Sequence, residues 1–328
     1  MGKWILIPDS FKGTMSSEEI CTVMAAALRR HLPEADIVSI PVADGGEGSV
    51  DAFLAALGGR REEVPCTGPD GRPITAFYGR LPDGTAVVEM AAAAGLPLME
   101  GHLCAEGATT YGVGELLRAA VHAGAKRVIL GLGGSATNDG GCGCAAALGI
   151  RFLDRDGVSF VPVGGTLDRL DRIDASGLDP AVRAADITVM CDIDNPLCGP
   201  TGASAVFGPQ KGARAADILK MDGWLREFAA LARTVFPESD ADFPGSGAAG
   251  GMGFALRTFL GASLEPGVSI VLEETGLAEK IRTADMVVTG EGRLDAQTAM
   301  GKAPAGVARL AKRYGKPVVA FAGGIADG

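Results

Sequence analysis

Five segments place glycine, short polar side chains or carboxylates directly after apolar runs: "PDSFKG" (Pro8–Gly13), "ADGGEG" (Ala43–Gly48), "GGSATNDGG" (Gly133–Gly141), "CDIDNP" (Cys191–Pro196) and "TGEGRLD" (Thr289–Asp295). In open α/β sheets, ligands sit outside the carboxyl ends of the strands, where loops lead into helix N-termini with unpaired N–H groups. The richest of these loops, "GLGGSATNDGG" from Gly131 to Gly141, holds five glycines with Ser135, Thr137, Asn138 and Asp139, and so has little to bury. Its backbone N–H groups and hydroxyls suit an anion, because glycine permits close approach and positive φ. The pattern "DGGxG" occurs twice, at Asp44–Gly48 and Asp139–Gly143. A tight strand-to-helix turn would use the same residues.

Asp192 and Asp194 stand two apart, so on a continuing strand they point to one face and could share Mg²⁺. The other reading is an acidic turn before Pro196. Lys12, Lys211, Arg293 and Lys302 each lie beside a glycine-rich segment and could neutralise a phosphate or a substrate carboxylate, although each also suits a solvated surface. Together, glycine loops, paired carboxylates and isolated cations fit phosphoryl transfer. The rival is hydride transfer: "GLGGSA" matches GxGxxA, and Asp154 or Asp156 falls at about the spacing of a ribose-binding acid in an NAD-dependent oxidoreductase. A noncatalytic small-ligand module is a third class. A Walker A motif is missing, since Gly301 and Lys302 are followed by alanine with the wrong glycine spacing before them. There is no GxSxG; His31 and His122 fall near helix ends and His102 in a loop, which leaves carboxylates as the acid/base candidates.

The elements that must hold these groups alternate: "KWILIP", "SSEEICTVMAAALRRHL", "ADIVSIPV" and "SVDAFLAALGG" have the rhythm of a parallel sheet with crossover helices. The fold class is therefore α/β. Ser16 and Glu19 form a capping-box pattern, and Ile20, Val23, Met24, Ala27 and Leu28 are expected on one buried helical face. From Pro65 the turn signals "GPDGRP" and "LPDG" predict a meander. After it the strand and helix rhythm resumes, and a last strand, helix, strand series begins near Ala284. Two α/β domains are expected. One is Rossmann-like and discontinuous (1–64 plus 283–328), the other inserted (65–282).

A chain of 328 residues, 47% hydrophobic, is long enough for about two domains. A formal charge of −10 without a basic cluster argues against nucleic acid as partner, and no apolar stretch is long enough to span a membrane. Seven scattered cysteines suit reduced thiols in a cytoplasm, with Cys142 and Cys144 packing a helix of small residues.

"PDSFKG", "VADGGEG", "GGSATNDGG", "CDIDNPL", "GASAVFGPQKG" and "TGEGRLDAQT", in this order, resemble the ATP-dependent bacterial glycerate kinases that are unlike P-loop kinases, and the resemblance covers essentially the whole chain. It implies transfer of the ATP γ-phosphate to D-glycerate, usually at the 2-hydroxyl with the 3-hydroxyl as alternative, using Mg²⁺ in a cleft between two unlike α/β domains. On that basis Asp192 and Lys12 are the catalytic candidates. Ser10, Asp44, Gly45, Gly46 and Arg293 are expected at the substrate. Gly133, Gly134, Ser135, Asn138, Lys211 and Glu291 are expected at the phosphates of ATP, and Asp192 with Asp194 at Mg²⁺. A monomer or homodimer is expected. Members of the family usually continue for several tens of residues beyond "AFAGGIADG" with a further strand and helix, without which a sheet edge or face of the first domain would be open.

Overall fold

The computed structural model describes residues 2–11, 14–43, 45–294 and 303–326. Four parallel strands form one sheet in the order β13-β12-β1-β2: β1 (Lys3–Pro8), β2 (Asp36–Ser39), β12 (Met286–Leu294) and β13 (Val318–Ile325). Its strands thus come from the two ends of the chain. Ile5, Leu6 and Ile7 on β1 are all fully buried, because helices cover both faces of a parallel sheet. The helix Ser17–His31 lies on one face. Its capping box forms as expected: Glu19 N–H donates to Ser16 Oγ at 3.2 Å and Ser16 N–H donates to Glu19 Oε2 at 2.8 Å. The buried stripe differs from the expected one. It runs through Ile20, Cys21, Met24, Ala25 and Leu28, the last four packing with Leu6 and Val288, while Val23 and Ala27 face outward. The strands beneath this helix centre its contact on Cys21 and Ala25, which turns Val23 to the flank.

A second, six-stranded sheet has the order β11-β10-β6-β5-β4-β3: β3 (Arg60–Thr67), β4 (Pro73–Arg80), β5 (Ala86–Glu89), β6 (Arg127–Gly131), β10 (Asp186–Met190) and β11 (Ser263–Glu265). The turn signals at "GPDGRP" and "LPDG" make β3, β4 and β5 an antiparallel meander, and the remaining neighbours are parallel. A small antiparallel sheet, β8-β7-β9, is built from β7 (Arg151–Leu153), β8 (Ser159–Phe160) and β9 (Arg172–Asp174).

Alternation along β6 shows how the layers meet. Val128 and Leu130 join a core with the helices Tyr111–His122, Cys142–Ala147, Ala215–Val235 and Ala248–Leu260, where Phe152, Phe228, Phe254 and Phe259 pack edge to face. Ile129 points the other way, with Val87 and Met190, into a core shared with Ile5, Ile7 and Val287 of the first sheet. The helix Ser49–Leu57 and the helices Gly267–Glu274 and Leu277–Arg282 fill this layer through Val50, Phe53, Ile270, Val271, Leu277 and Ile281. The last two helices precede the change of texture at Ala284, yet they pack with β1 and β12. Among the described residues no helix is long and apolar enough to cross a membrane.

Candidate active site

The carboxyl ends of β1, β2, β6 and β10 open onto one cleft of about 810 Å³. From the first sheet's side its wall includes Ser10, Ser17, Val42, Gly46 and Gly48; from the second it includes Gly133, Gly134, Ser135, Asp192 and Lys211. Ser17 ties two of these ends together, donating from Oγ to the Pro8 carbonyl at 2.6 Å and accepting from Val42 N–H at 2.9 Å.

The two glycine loops interlock below the cleft. Gly133 N–H donates to the Gly45 carbonyl at 2.9 Å, a Cβ on Gly133 would stand 2.5 Å from Gly46 Cα, and one on Gly131 would stand 2.2 Å from the Gly45 carbonyl oxygen. These glycines are required because backbone meets backbone where the two sheets' loops cross. Gly45, with φ +81, is wedged against Met190 and does not itself line the cleft.

The loop after β6 has two halves. Leu132–Ser135 faces the cleft, and Leu96 N–H holds it from behind by donating to the Gly134 carbonyl at 2.8 Å. Thr137–Gly143 turns inward. Asp139 is fully buried and accepts from Thr110 N–H and Thr110 Oγ1–H, both at 2.8 Å, from Gly141 N–H at 3.0 Å and from Gly143 N–H at 3.2 Å. Burial pushes its pKa above the usual carboxylate range, against the pull of those donors. The segment Ala248–Gly251 closes this half: Gly140 N–H donates to the Gly250 carbonyl at 2.9 Å, and a Cβ on Gly250 would stand 2.1 Å from the Thr137 carbonyl oxygen.

Lys211 connects the halves. It is 2% exposed, and its Nζ donates to Ser135 Oγ at 2.8 Å and to the Thr137 carbonyl at 2.7 Å. Burial draws its pKa down to about 7, partly opposed by the charge of Asp139. Asp192 is exposed in the cleft and its Oδ1 accepts from Gly267 N–H at 2.8 Å, at the start of the helix Gly267–Glu274.

The structure thus gathers Ser10, Gly46, Gly133, Gly134, Ser135, Asp192 and Lys211 in one place. Other expected residues lie elsewhere. Asn138 is buried, its Nδ2 donating to Ser204 Oγ at 2.9 Å, because the inward half of the loop carries it away from the cleft. β10 stops at Met190, so Asp192 and Asp194 are not on a continuing strand, and Asp194 does not line the cleft. β12 runs on to Leu294, paired with β13 as far as Ile325, so "TGEGRL" is strand rather than loop. On it Glu291 is buried and Arg293 exposed, and neither lines the cleft. Lys12, Asp44 and Lys302 lie outside the described residues.

Sequence reasoning missed the wall formed by Ala248 and Ala249. Ala249 has φ +53, a left-handed value rare for alanine, and is followed by Gly250 at +70 and Gly251 at +96. The glycine run "PGSGAAGGMG" was the available signal. Glu18, Glu47 and Asp51, which also line the cleft, were missed as well. The dinucleotide reading fails on topology. β7 is antiparallel in a separate small sheet, and Asp154 holds the turn to β8, its Oδ1 accepting from Asp156 N–H at 3.1 Å and Val158 N–H at 2.9 Å.

Loops from the carboxyl ends of strands in two sheets close on a cleft with a buried lysine and an exposed aspartate in an α/β protein. A family model described as glycerate kinase family matches residues 4–328. A protein of Bacillus subtilis named glycerate kinase is 48% identical over 98% of this chain and 85% of its own length; one of Escherichia coli named glycerate 2-kinase is 46% identical over 99% and 86%. A crystal structure of a putative glycerate kinase 2 from Salmonella typhimurium superposes with a TM-score of 0.92 at 44% identity, covering 99% of this chain and 90% of that one. The chain belongs to the glycerate kinase family and is an enzyme, a kinase.

Proposed function

We propose that the protein transfers the γ-phosphate of ATP to the 2-hydroxyl of D-glycerate. The observation that carries this reading is the meeting of Ser10 and Gly46 with Gly133–Ser135, Lys211 and Asp192 around one cleft. The name of the Escherichia coli relative supports the 2-hydroxyl. Phosphoryl transfer needs positioning and charge neutralisation more than covalent chemistry from the protein. In this reading the Gly133–Ser135 backbone and Lys211 serve the phosphates, Ser10 and Gly46 with Asp44 serve glycerate, and Lys12 neutralises charge on the transferred group. Asp192, held at one oxygen by Gly267 N–H, takes the proton of the attacking hydroxyl or holds the metal.

Among the described residues no three His, Cys, Asp or Glu side chains cluster as a metal cage. Mg²⁺ keeps several waters and uses one or two carboxylates with substrate phosphates, so the exposed Asp192 fits as its protein ligand. When bound, Mg²⁺ would offset charge on the phosphate oxygens. The proposal keeps two units, one on each sheet, with the helices at 267–282 counted with the first, and places the enzyme in the cytoplasm with its ATP. The test measures ATP consumption with and without D-glycerate and identifies the product by phosphorus NMR. Glycerate-dependent turnover to 2-phosphoglycerate is expected; 3-phosphoglycerate would move the transfer to the other hydroxyl, and no glycerate dependence would overturn the reading.

A further inference from the structure

A lysine ammonium has only protons to give, so in the contact between Lys211 Nζ and Ser135 Oγ the serine oxygen is the acceptor. The hydroxyl's own proton must then point elsewhere. Among the described residues nothing accepts it, and Ser135, 6% exposed, lines the cleft. Nor does any carboxylate among the described residues lie within ion-pair distance of Nζ. Asp139, whose charge reaches it, is already engaged by Thr110, Gly141 and Gly143. The protein therefore buries a cation with two neutral partners, an arrangement that costs stability unless an anion completes it. Among the described residues, the Ser135 hydroxyl is the side-chain donor that links that cation to the cleft.

We propose that Ser135 donates its hydroxyl proton to an oxyanion of the bound substrate, and that Lys211 is the positioning residue that orients and polarises this donor. The pair thus recognises a carboxylate or phosphoryl oxygen through Ser135 rather than by direct contact with the ammonium. The proposal rests on the kinase reading for the identity of the anion, which is the carboxylate end of glycerate or a phosphate of the nucleotide. The loop's backbone keeps the donor in place, with Ala136 N–H bonded to the Ala94 carbonyl at 2.9 Å and Gly134 bonded to Leu96. The burial that draws Lys211 toward neutrality predicts a second signature: an anion arriving near pH 7 brings a proton into the site. Asp139 is the charged group facing Lys211. Ser135 and Thr137, the helix Ala203–Phe207 and the segment Ala248–Ala249 bring no titratable side chain.

The test is a calorimetric cycle at pH 7 on the whole protein, with D-glycerate, ATP with Mg²⁺, and inorganic phosphate as separate titrants. The proteins are wild type, Ser135→Ala, Ser135→Thr, Lys211→Met and the double variant Ser135→Ala with Lys211→Met. A charge-assisted hydrogen bond predicts that Ser135→Ala weakens one titrant about ten- to a hundredfold. Lys211→Met should weaken that same titrant, the double variant should be no worse than the worse single, and Ser135→Thr should recover most of the affinity. Titrations in buffers of different ionisation enthalpy should show proton uptake in the wild type and none in Lys211→Met. Additive effects, effects on different titrants, an unchanged affinity in Ser135→Ala, or no binding of any titrant by the wild type overturns the proposal. If Lys211→Met melts out, Ser135→Ala and Ser135→Thr decide alone. Failure of the wild type to turn over glycerate overturns the kinase reading, whereas anion binding that responds to Ser135→Ala sustains the relay.

Discussion

The two "DGGxG" loops have one sequence pattern and two physical roles. Gly45–Gly48 lies at the carboxyl end of the first sheet with Gly46 and Gly48 on the cleft wall, and a Cβ on Gly48 would meet nothing within 4 Å. Asp139–Gly143 is a buried knot in which a carboxylate gathers three backbone N–H groups and a hydroxyl, and a Cβ on Gly143 would stand 2.3 Å from Thr109 Oγ1. Both lead into a helix, as a strand-to-helix turn should. A short motif specifies the backbone path of the turn, while what packs above it decides whether the turn faces solvent or is sealed.

The largest effect that would break this comparison is expected at the knot. Asp139→Ala leaves the N–H groups of Thr110, Gly141 and Gly143 buried without an acceptor, at about 1–3 kcal/mol each, so the melting temperature should drop sharply or folding should fail. A variant as stable as the parent would show that the knot is not what holds the loop. At the cleft the opposite signature is expected. Asp192→Asn keeps an oxygen for Gly267 N–H and should melt normally, while kcat falls about 10²–10⁴-fold and the glycerate affinity changes much less. Near-normal turnover would assign "CDIDNP" to turn structure.

The third effect is one of pH. Lys211 binds its proton less tightly folded, at about 7, than in the unfolded chain with its ordinary value of 10.5. The unfolded state therefore holds more protons between these values, and stability should rise with pH from about 7 upward, the full cost being present below it. Buried thiols, with Cys21 pushed up to about 12, act in the reverse sense once free thiols ionise, so the window for measurement is about pH 7 to 8.5. Chemical denaturation across that window should give a shallower slope for Lys211→Met than for the parent. The smallest effect is expected at Gly48→Ala, where open space leaves only the strain of φ +86, about 1–2 kcal/mol, against the steric failure expected of Gly143→Ala. Equal losses at the two glycines would erase the distinction between the loops.

Local chemistry was legible where neighbours in sequence decide the outcome. The Ser16–Glu19 box begins its helix because both partners lie within one turn, and "GPDGRP" and "LPDG" turn the meander because turn geometry is set by four residues. Strand ends carrying Ser10, Gly46, Gly133, Gly134, Ser135 and Asp192 were legible for a related reason: apolar runs stop where backbone must meet water or ligand. Asn138 and Ser135 could not be told apart, since three residues of an irregular loop can face opposite ways and only Ser204, Thr110 and Gly250 show which half is enclosed. Likewise, "TGEGRL" reads as a loop in isolation and becomes strand because β13 supplies hydrogen-bond partners through Ile325.

The sequence by itself determined the α/β class, the alternation of its first strands and helices, and several of the loop segments that meet at the cleft, because apolar periodicity, caps and turn residues act over a few positions. Only the tertiary structure decided the rest. Gly131 and Gly133 serve the crossing with Gly45 and Gly46, about 85 residues away in the chain, a separation no local signal spans. Lys211, Ser135 and Asp192 become neighbours only when both sheets share the core around Ile129, Met190 and Ile7, because burying those side chains from water is what brings the loop ends together.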